Sequence, residues 1–171
     1  CSSDLLYLQL LAKNPRSEEC LVNLVTIGMA RKDHDAVQKY SEQLLTLRPH
    51  SQAALEGLAT CAFHRNDYEA AAQLCTKLTE SGPEHFERWF NLGVAEQKRG
   101  KHAEAAKAYG EAVRIRPDAK QAHVNLGIVR QESGDLKQAR ESYERALHIA
   151  PDQGDVLYNL ASVDRKSTRL N

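Results

Sequence analysis

Asparagine recurs in this chain at a fixed interval. Asn91, Asn125 and Asn159 follow one another every 34 residues, and Asn23 lies twice that interval before Asn91. Asparagine costs a helix about half a kcal/mol or more relative to alanine, so another property must favour it at these positions. Its side-chain amide has one acceptor and two donors, which match the two polar groups of a peptide bond. A row of such amides can hold an extended polypeptide by its backbone, at about 0.5–1.5 kcal/mol net for each hydrogen bond.

Side chains that catalyse reactions or bind metals form no motif in this sequence. The four cysteines include no CxxC pair, and none of the seven histidines has another histidine three or four residues away. A glycine-rich phosphate loop and a Gly-x-Ser-x-Gly elbow are also missing from the sequence. We therefore predict that the chain is not an enzyme and has no catalytic, metal or cofactor site.

The five prolines indicate which elements position the asparagines. They also follow one another every 34 residues, at Pro15, Pro49, Pro83, Pro117 and Pro151. A fixed period of this length predicts a stack of identical supersecondary units, here a single array over 1–171. The array is divided into a half repeat, four complete repeats, a second half repeat and an irregular tail, which are 1–17, 18–51, 52–85, 86–119, 120–153, 154–165 and 166–171.

Within each repeat, apolar and small residues recur at helical spacing. The third complete repeat has Trp89, Leu92 and Gly93 at its fourth, seventh and eighth positions, which lie on one face of a helix. A breaker such as Gly100 follows, and the pattern then resumes for a second helix. Each repeat is therefore predicted to be a hairpin of two antiparallel helices. Cys75 lies at a core position of its repeat, where we expect its thiol to be buried and reduced.

These residues resemble the tetratricopeptide repeat family. The residues that carry the resemblance recur in register in the third and fourth repeats, namely Trp89 to Gly93, Gly100, Ala105, Tyr109, Ala112 and Pro117, and Asn125 to Gly127, Gly134, Ala139, Tyr143, Ala146 and Pro151. The resemblance implies an all-α solenoid, a right-handed superhelix of antiparallel helix hairpins. The asparagine row is similar to those of O-linked N-acetylglucosamine transferase-like and bacterial tetratricopeptide repeat proteins.

The resemblance also implies a concave groove, which the first helix of each repeat lines. Carried over position by position, the groove combines the amide row with an apolar row, and the predicted peptide-binding residues are Asn23, Phe90, Asn91, Val94, Val124, Asn125, Ile128, Tyr158 and Asn159. The alternative for the asparagines is a packing role, in which their amides bond to the backbone or to side chains of neighbouring helices.

Composition excludes several classes of partner. Lysine and arginine together number 23, as do aspartate and glutamate, so no net positive field attracts nucleic acid. No apolar run approaches the roughly 20 residues that span a bilayer, so membrane insertion is not expected. The cysteines show no spacing typical of a disulfide framework, which favours a reducing compartment such as the cytoplasm. The alternative is a periplasmic lipoprotein, because Cys1 followed by two serines resembles the mature end of a bacterial lipoprotein.

The predicted function is a protein–protein interaction scaffold that binds an extended peptide or partner segment in its groove. One alternative is the substrate-recruiting arm of a larger enzyme such as a glycosyltransferase. Another is a structural assembly subunit that uses its convex face or the ends of the solenoid. Self-association through uncapped repeat ends is a further expectation.

Overall fold

The 34-residue period corresponds to pairs of α-helices. The computed structural model describes the backbone of residues 3–170 and the side chains of residues 4–168. These residues form ten α-helices and no strand. In chain order the helices are α1 (Ser3–Lys13), α2 (Glu18–Arg31), α3 (His34–Leu47), α4 (Gln52–His64), α5 (Tyr68–Ser81), α6 (Phe86–Lys98), α7 (His102–Ile115), α8 (Lys120–Glu132), α9 (Leu136–Ile149) and α10 (Gly154–Leu170). The predicted all-α class is confirmed. Cys1, on which the lipoprotein alternative depends, lies outside the described residues.

The helices divide into two compact units. The first unit, Cys1–Ser81, contains α1 to α5, and the second unit, Gly82–Asn171, contains α6 to α10. In each unit, the first helix of a repeat packs against the second helix of the same repeat, as α2 does with α3 and α6 with α7. The second helix then packs against the first helix of the next repeat, as α7 does with α8. Within the two units, α2 to α4 and α7 to α9 therefore each pack against the helix before and the helix after them.

The two helices of a repeat meet where the sequence predicts a small residue. A Cβ atom added to Gly93 would lie 2.6 Å from the Tyr109 ring, and one added to Gly127 would lie 2.5 Å from the Tyr143 ring. Both tyrosines are fully buried. Glycine at the eighth position thus leaves the space that the aromatic ring of the second helix fills.

A residue in the left-handed conformation separates the two helices of each complete repeat. The backbone φ angles are +57° at Lys32, +58° at Asn66, +74° at Gly100 and +84° at Gly134. In three of the four turns an aspartate follows and caps the second helix, for example Asp33, whose side chain accepts a hydrogen bond from the Ala36 N–H. The third repeat has Lys101 at this position, which makes no side-chain cap. The second helix of each complete repeat therefore begins at the same position of the repeat, with or without the aspartate cap.

The core contains three cysteine thiols, of which the sequence predicted one. Cys20, Cys61 and Cys75 are buried and free, which confirms the prediction of a buried, reduced thiol at Cys75. Burial raises the pKa of Cys75 to about 12. The thiol therefore stays protonated at neutral pH and acts as a small apolar side chain.

The last helix differs from the predicted boundary. Residues 166–170 were expected to form an irregular tail, but α10 continues through them to Leu170. Neither glycine nor proline occurs between Val156 and Leu170, so nothing in the sequence ends the helix there. The Thr168 hydroxyl donates to the Asp164 carbonyl oxygen (2.7 Å), a bond that helical geometry provides.

Candidate peptide-binding face

The predicted site residues belong to the first helices of the repeats. Eight of the nine lie in the second unit, on α6, α8 and α10, and are Phe90, Asn91, Val94, Val124, Asn125, Ile128, Tyr158 and Asn159. The ninth, Asn23, lies on α2 in the first unit. We call the eight residues of the second unit the candidate face.

Asn125 is held by a polar network that joins three helices. Its Nδ2 donates to the Tyr109 hydroxyl oxygen (3.2 Å), and its Oδ1 accepts from Gln121 Nε2 (3.0 Å). The Tyr109 hydroxyl in turn donates to Gln97 Oε1 (2.9 Å). Asn125 therefore has the interhelical packing role that the sequence left open as the alternative. One N–H of its amide and one lone pair of its oxygen remain for a ligand.

The tyrosine in this network keeps its proton, so its hydroxyl can donate a hydrogen bond. Burial raises the pKa of Tyr109, and the hydrogen bond from Asn125 lowers it by less. The next repeat has the same pair: the Tyr143 hydroxyl donates to Gln131 Oε1 (3.0 Å), and burial raises the pKa of Tyr143 to about 12. Both glutamines and both tyrosines are 34 residues apart, so the spacing that revealed the asparagines also marks these pairs.

The other asparagines differ in how far their amides are engaged. Asn23 donates from Nδ2 to the Glu19 carbonyl oxygen (2.8 Å), one turn earlier in its own helix. Among the residues that the structure describes, the amides of Asn91 and Asn159 have no hydrogen-bond partner. Asn91 is exposed and Asn159 is half-buried. The row thus contains two engaged amides and two available ones.

The apolar members of the face also support the core. Phe90 and Val94 pack against a buried cluster that includes Tyr109 and Leu126. Val124 and Ile128 do the same for the cluster that contains Tyr143, Val156 and Val163. All four are half-buried, so each offers part of its surface to a ligand. Tyr158 differs, because 68% of its surface is exposed.

An open pocket of about 480 Å³ lies beside Asn125 in the second unit. It is lined by three helices of that unit, through Val94, Gln97, Lys98, His102, Tyr109, Asn125 and Glu132. His102 Nδ1 lies 3.0 Å from Glu132 Oε2, and Lys98 supplies a positive charge. The pocket therefore combines both signs of charge with amide and hydroxyl groups. Of its lining, the sequence prediction included only Val94 and Asn125.

Family models identify the repeats. Two models, both described as tetratricopeptide repeat, match the chain, one at residues 28–93 and the other at residues 76–120 and 90–155. The chain belongs to the tetratricopeptide repeat family. No curated protein matches it significantly.

Solved structures with this tetratricopeptide repeat fold include several similar chains. YrrB, described as a TPR protein with an unusual peptide-binding site, has a TM-score of 0.88 at 16% identity, over 95% of this chain and 84% of that chain. MamA has a TM-score of 0.78 at 20% identity, over 84% of each chain. The first TPR of Spaghetti (RPAP3), bound to HSP90 peptide SRMEEVD, has a TM-score of 0.64 at 21% identity, over 68% of this chain and 93% of that chain. These similarities establish the fold.

The candidate face thus lies on the first helices of tetratricopeptide repeats. None of the described helices has the length and hydropathy needed to span a bilayer.

Proposed function

We propose that this protein is an interaction module, and that its second unit binds an extended segment of a partner protein along the candidate face. The observation that carries the proposal is the exposed Asn91 amide, which has no hydrogen-bond partner among the described residues. Asn91 lies on α6, the helix that also contributes Val94 to the lining of the open pocket. An amide that stabilises neither its own helix nor a neighbour has its full hydrogen-bonding capacity available for a ligand.

Backbone recognition fits the groups that the face offers. Asn91 and Asn159 each provide one acceptor and two donors, and Asn125 keeps one N–H. Because each hydrogen bond contributes about 0.5–1.5 kcal/mol net, binding requires several of them together with apolar contact. Tyr158 supplies the largest exposed apolar surface of the face. An extended strand, whose peptide groups recur at regular spacing, suits such a row.

The charges near the pocket favour a ligand without strong net charge. Lys98, Glu132 and His102 lie around one opening, and the whole chain carries equal numbers of acidic and basic residues. The peptide-binding descriptions of YrrB and of the RPAP3 complex support a peptide as the ligand of a similar fold, without bearing on its charge.

Capture from a peptide display library tests the proposal. The chain is compared with an Asn91→Ala, Asn159→Ala double variant, whose two amides have no partner among the described residues. We expect the double variant to lose most captured peptides while its helical circular dichroism is unchanged. Gln73→Ala is the matched control and should capture peptides like the unmodified chain, since Gln73 is an exposed amide on α5, outside the predicted peptide-binding residues. Equal capture by the chain and the double variant, or no capture by either, overturns the proposal.

A further inference from the structure

The open pocket beside Asn125 is bounded by hydrogen bonds that all point the same way. Asn125 Nδ2 donates to the Tyr109 hydroxyl oxygen, and this hydroxyl donates to Gln97 Oε1. Burial raises the pKa of Tyr109, so its proton is present at neutral pH and can be donated. The oxygen of the Gln97 amide therefore faces Tyr109, and the nitrogen of that amide is left for other contacts.

This arrangement leaves the pocket with N–H groups that lack an acceptor. Among the described residues, Gln97 Nε2 has no acceptor for either of its two N–H groups, and Asn125 Nδ2 uses only one of its two. Both side chains line the pocket. A free N–H group can be satisfied only by an acceptor, so the polar lining favours a ligand group that carries oxygen lone pairs.

Lys98 adds a positive charge to the same lining. It follows Gln97 on α6, is exposed, and has no ion-pair partner among the described residues. The opening also contains the carboxylate of Glu132, but its Oε2 lies 3.0 Å from His102 Nδ1. Glu132 thus already has a neighbour within the pocket, whereas the Lys98 ammonium remains for a ligand. A carboxylate is the acceptor that an ammonium group binds best.

We propose that the pocket receives an acidic side chain, glutamate or aspartate, from within the segment bound along the candidate face. Its carboxylate pairs with Lys98 and accepts hydrogen bonds from Gln97 and Asn125. This inference rests on the proposed function and adds to it the type of residue that the segment carries at one position. A single carboxylate matched by a single ammonium is compatible with a segment of low net charge.

Two capped tripeptides, acetyl-Ala-Glu-Ala-amide and acetyl-Ala-Gln-Ala-amide, test whether the pocket recognises a carboxylate. Both ends are blocked, so no terminal carboxylate can account for binding. In heteronuclear NMR titrations at millimolar peptide, we expect the side-chain amide signals of Gln97 and Asn125 to shift. The glutamate tripeptide should bind about three- to ten-fold more tightly than the glutamine tripeptide, because an exposed ion pair and its charged hydrogen bonds contribute modestly. Equal affinities, or shifts confined to residues outside the pocket, overturn the inference.

Variants of the lining separate the pocket from the charge of the whole chain. Lys98→Gln removes the ammonium, and Gln97→Glu keeps an oxygen for the Tyr109 hydroxyl while replacing the two free N–H groups by an acceptor. Each should abolish the preference for the glutamate tripeptide. Lys107→Gln is the matched control, since Lys107 is exposed on α7 and does not line the pocket. If Lys107→Gln weakened the preference as much as Lys98→Gln, net charge would explain it and the inference would be wrong.

Capture from the display library separates this inference from the proposed function. We expect captured peptides to be enriched in aspartate or glutamate at one position, and Lys98→Gln to lose that enrichment while it still captures peptides through Asn91 and Asn159. Captured peptides without acidic enrichment overturn the inference and leave the proposed function standing. A glutamate preference in the tripeptide titration without any captured peptide overturns the proposed function and leaves carboxylate recognition by the pocket standing.

Discussion

Replacing Tyr109 by phenylalanine tests whether the polar network stabilises the second unit. The substitution keeps the buried ring against Gly93 and removes only the hydroxyl group. That hydroxyl donates to Gln97 Oε1 (2.9 Å) and accepts from Asn125 Nδ2 (3.2 Å), so the variant loses two hydrogen bonds at once. At about 0.5–1.5 kcal/mol for each bond, we expect the free energy of unfolding to fall by about 1–3 kcal/mol.

Tyr143→Phe provides the internal comparison. Tyr143 is equally buried, and its hydroxyl donates to Gln131 Oε1 (3.0 Å). Among the described residues it has no second partner corresponding to Asn125, so its removal should cost about 0.5–1.5 kcal/mol. Tyr109→Phe is therefore expected to be the more damaging of the two variants.

Urea unfolding followed by tryptophan fluorescence measures both losses, because the single tryptophan, Trp89, lies on α6 in the second unit. A double-mutant cycle between Tyr109→Phe and Asn125→Ala should give a coupling energy of about 0.5–1.5 kcal/mol. The cycle also cancels the higher helix propensity of alanine. In a cycle between Tyr109→Phe and Asn159→Ala, the two changes in the free energy of unfolding should simply add, with no coupling. Equal losses for the two tyrosine variants, or no coupling between Tyr109 and Asn125, would refute the reasoning.

Three further predictions concern packing, capping and thiol burial. Gly93→Ala should destabilise the protein by about 1–3 kcal/mol in urea unfolding, because the added Cβ would lie 2.6 Å from the Tyr109 ring. Gly110→Ala should instead stabilise α7 by about 0.5–1 kcal/mol, because no atom lies within 4 Å of the added Cβ. Equal effects of the two variants would contradict this prediction. Lys101→Asp should raise the free energy of unfolding by about 0.5–2 kcal/mol by capping α7, and no gain would show that the cap does not form. Because burial raises the pKa of Cys75 from 9.0 to about 12, stability is predicted to fall as pH rises above about 9, where the unfolded thiol ionises first. Mass spectrometry should find Cys75 alkylated by iodoacetamide only after unfolding, and rapid alkylation of the folded protein would contradict its burial.

Much of the architecture could be predicted because the repeat imposes the same local rules several times. The spacing of the prolines and the small eighth residues predicted the helix pairs, and the burial of Tyr109 against Gly93 shows why glycine is needed. The sequence predicted an irregular tail from residue 166, where the repeat pattern is lost, whereas α10 continues as a helix to Leu170. A helix needs only the absence of breakers and adequate propensity, and residues 166–170 meet that condition.

The sequence by itself determined the register of the repeats, the class of fold and the first-helix positions of the asparagines, because these follow from local spacing. Only the tertiary structure decided which amides are engaged. Asn125 lies 16 residues after Tyr109 and bonds to its hydroxyl, whereas Asn159 lies 16 residues after Tyr143 and makes no such bond among the described residues. A hydrogen bond requires its two heavy atoms to lie within about 3.2 Å of each other at a suitable angle. Small offsets between neighbouring helices decide that distance, and identical spacing in the sequence does not specify them.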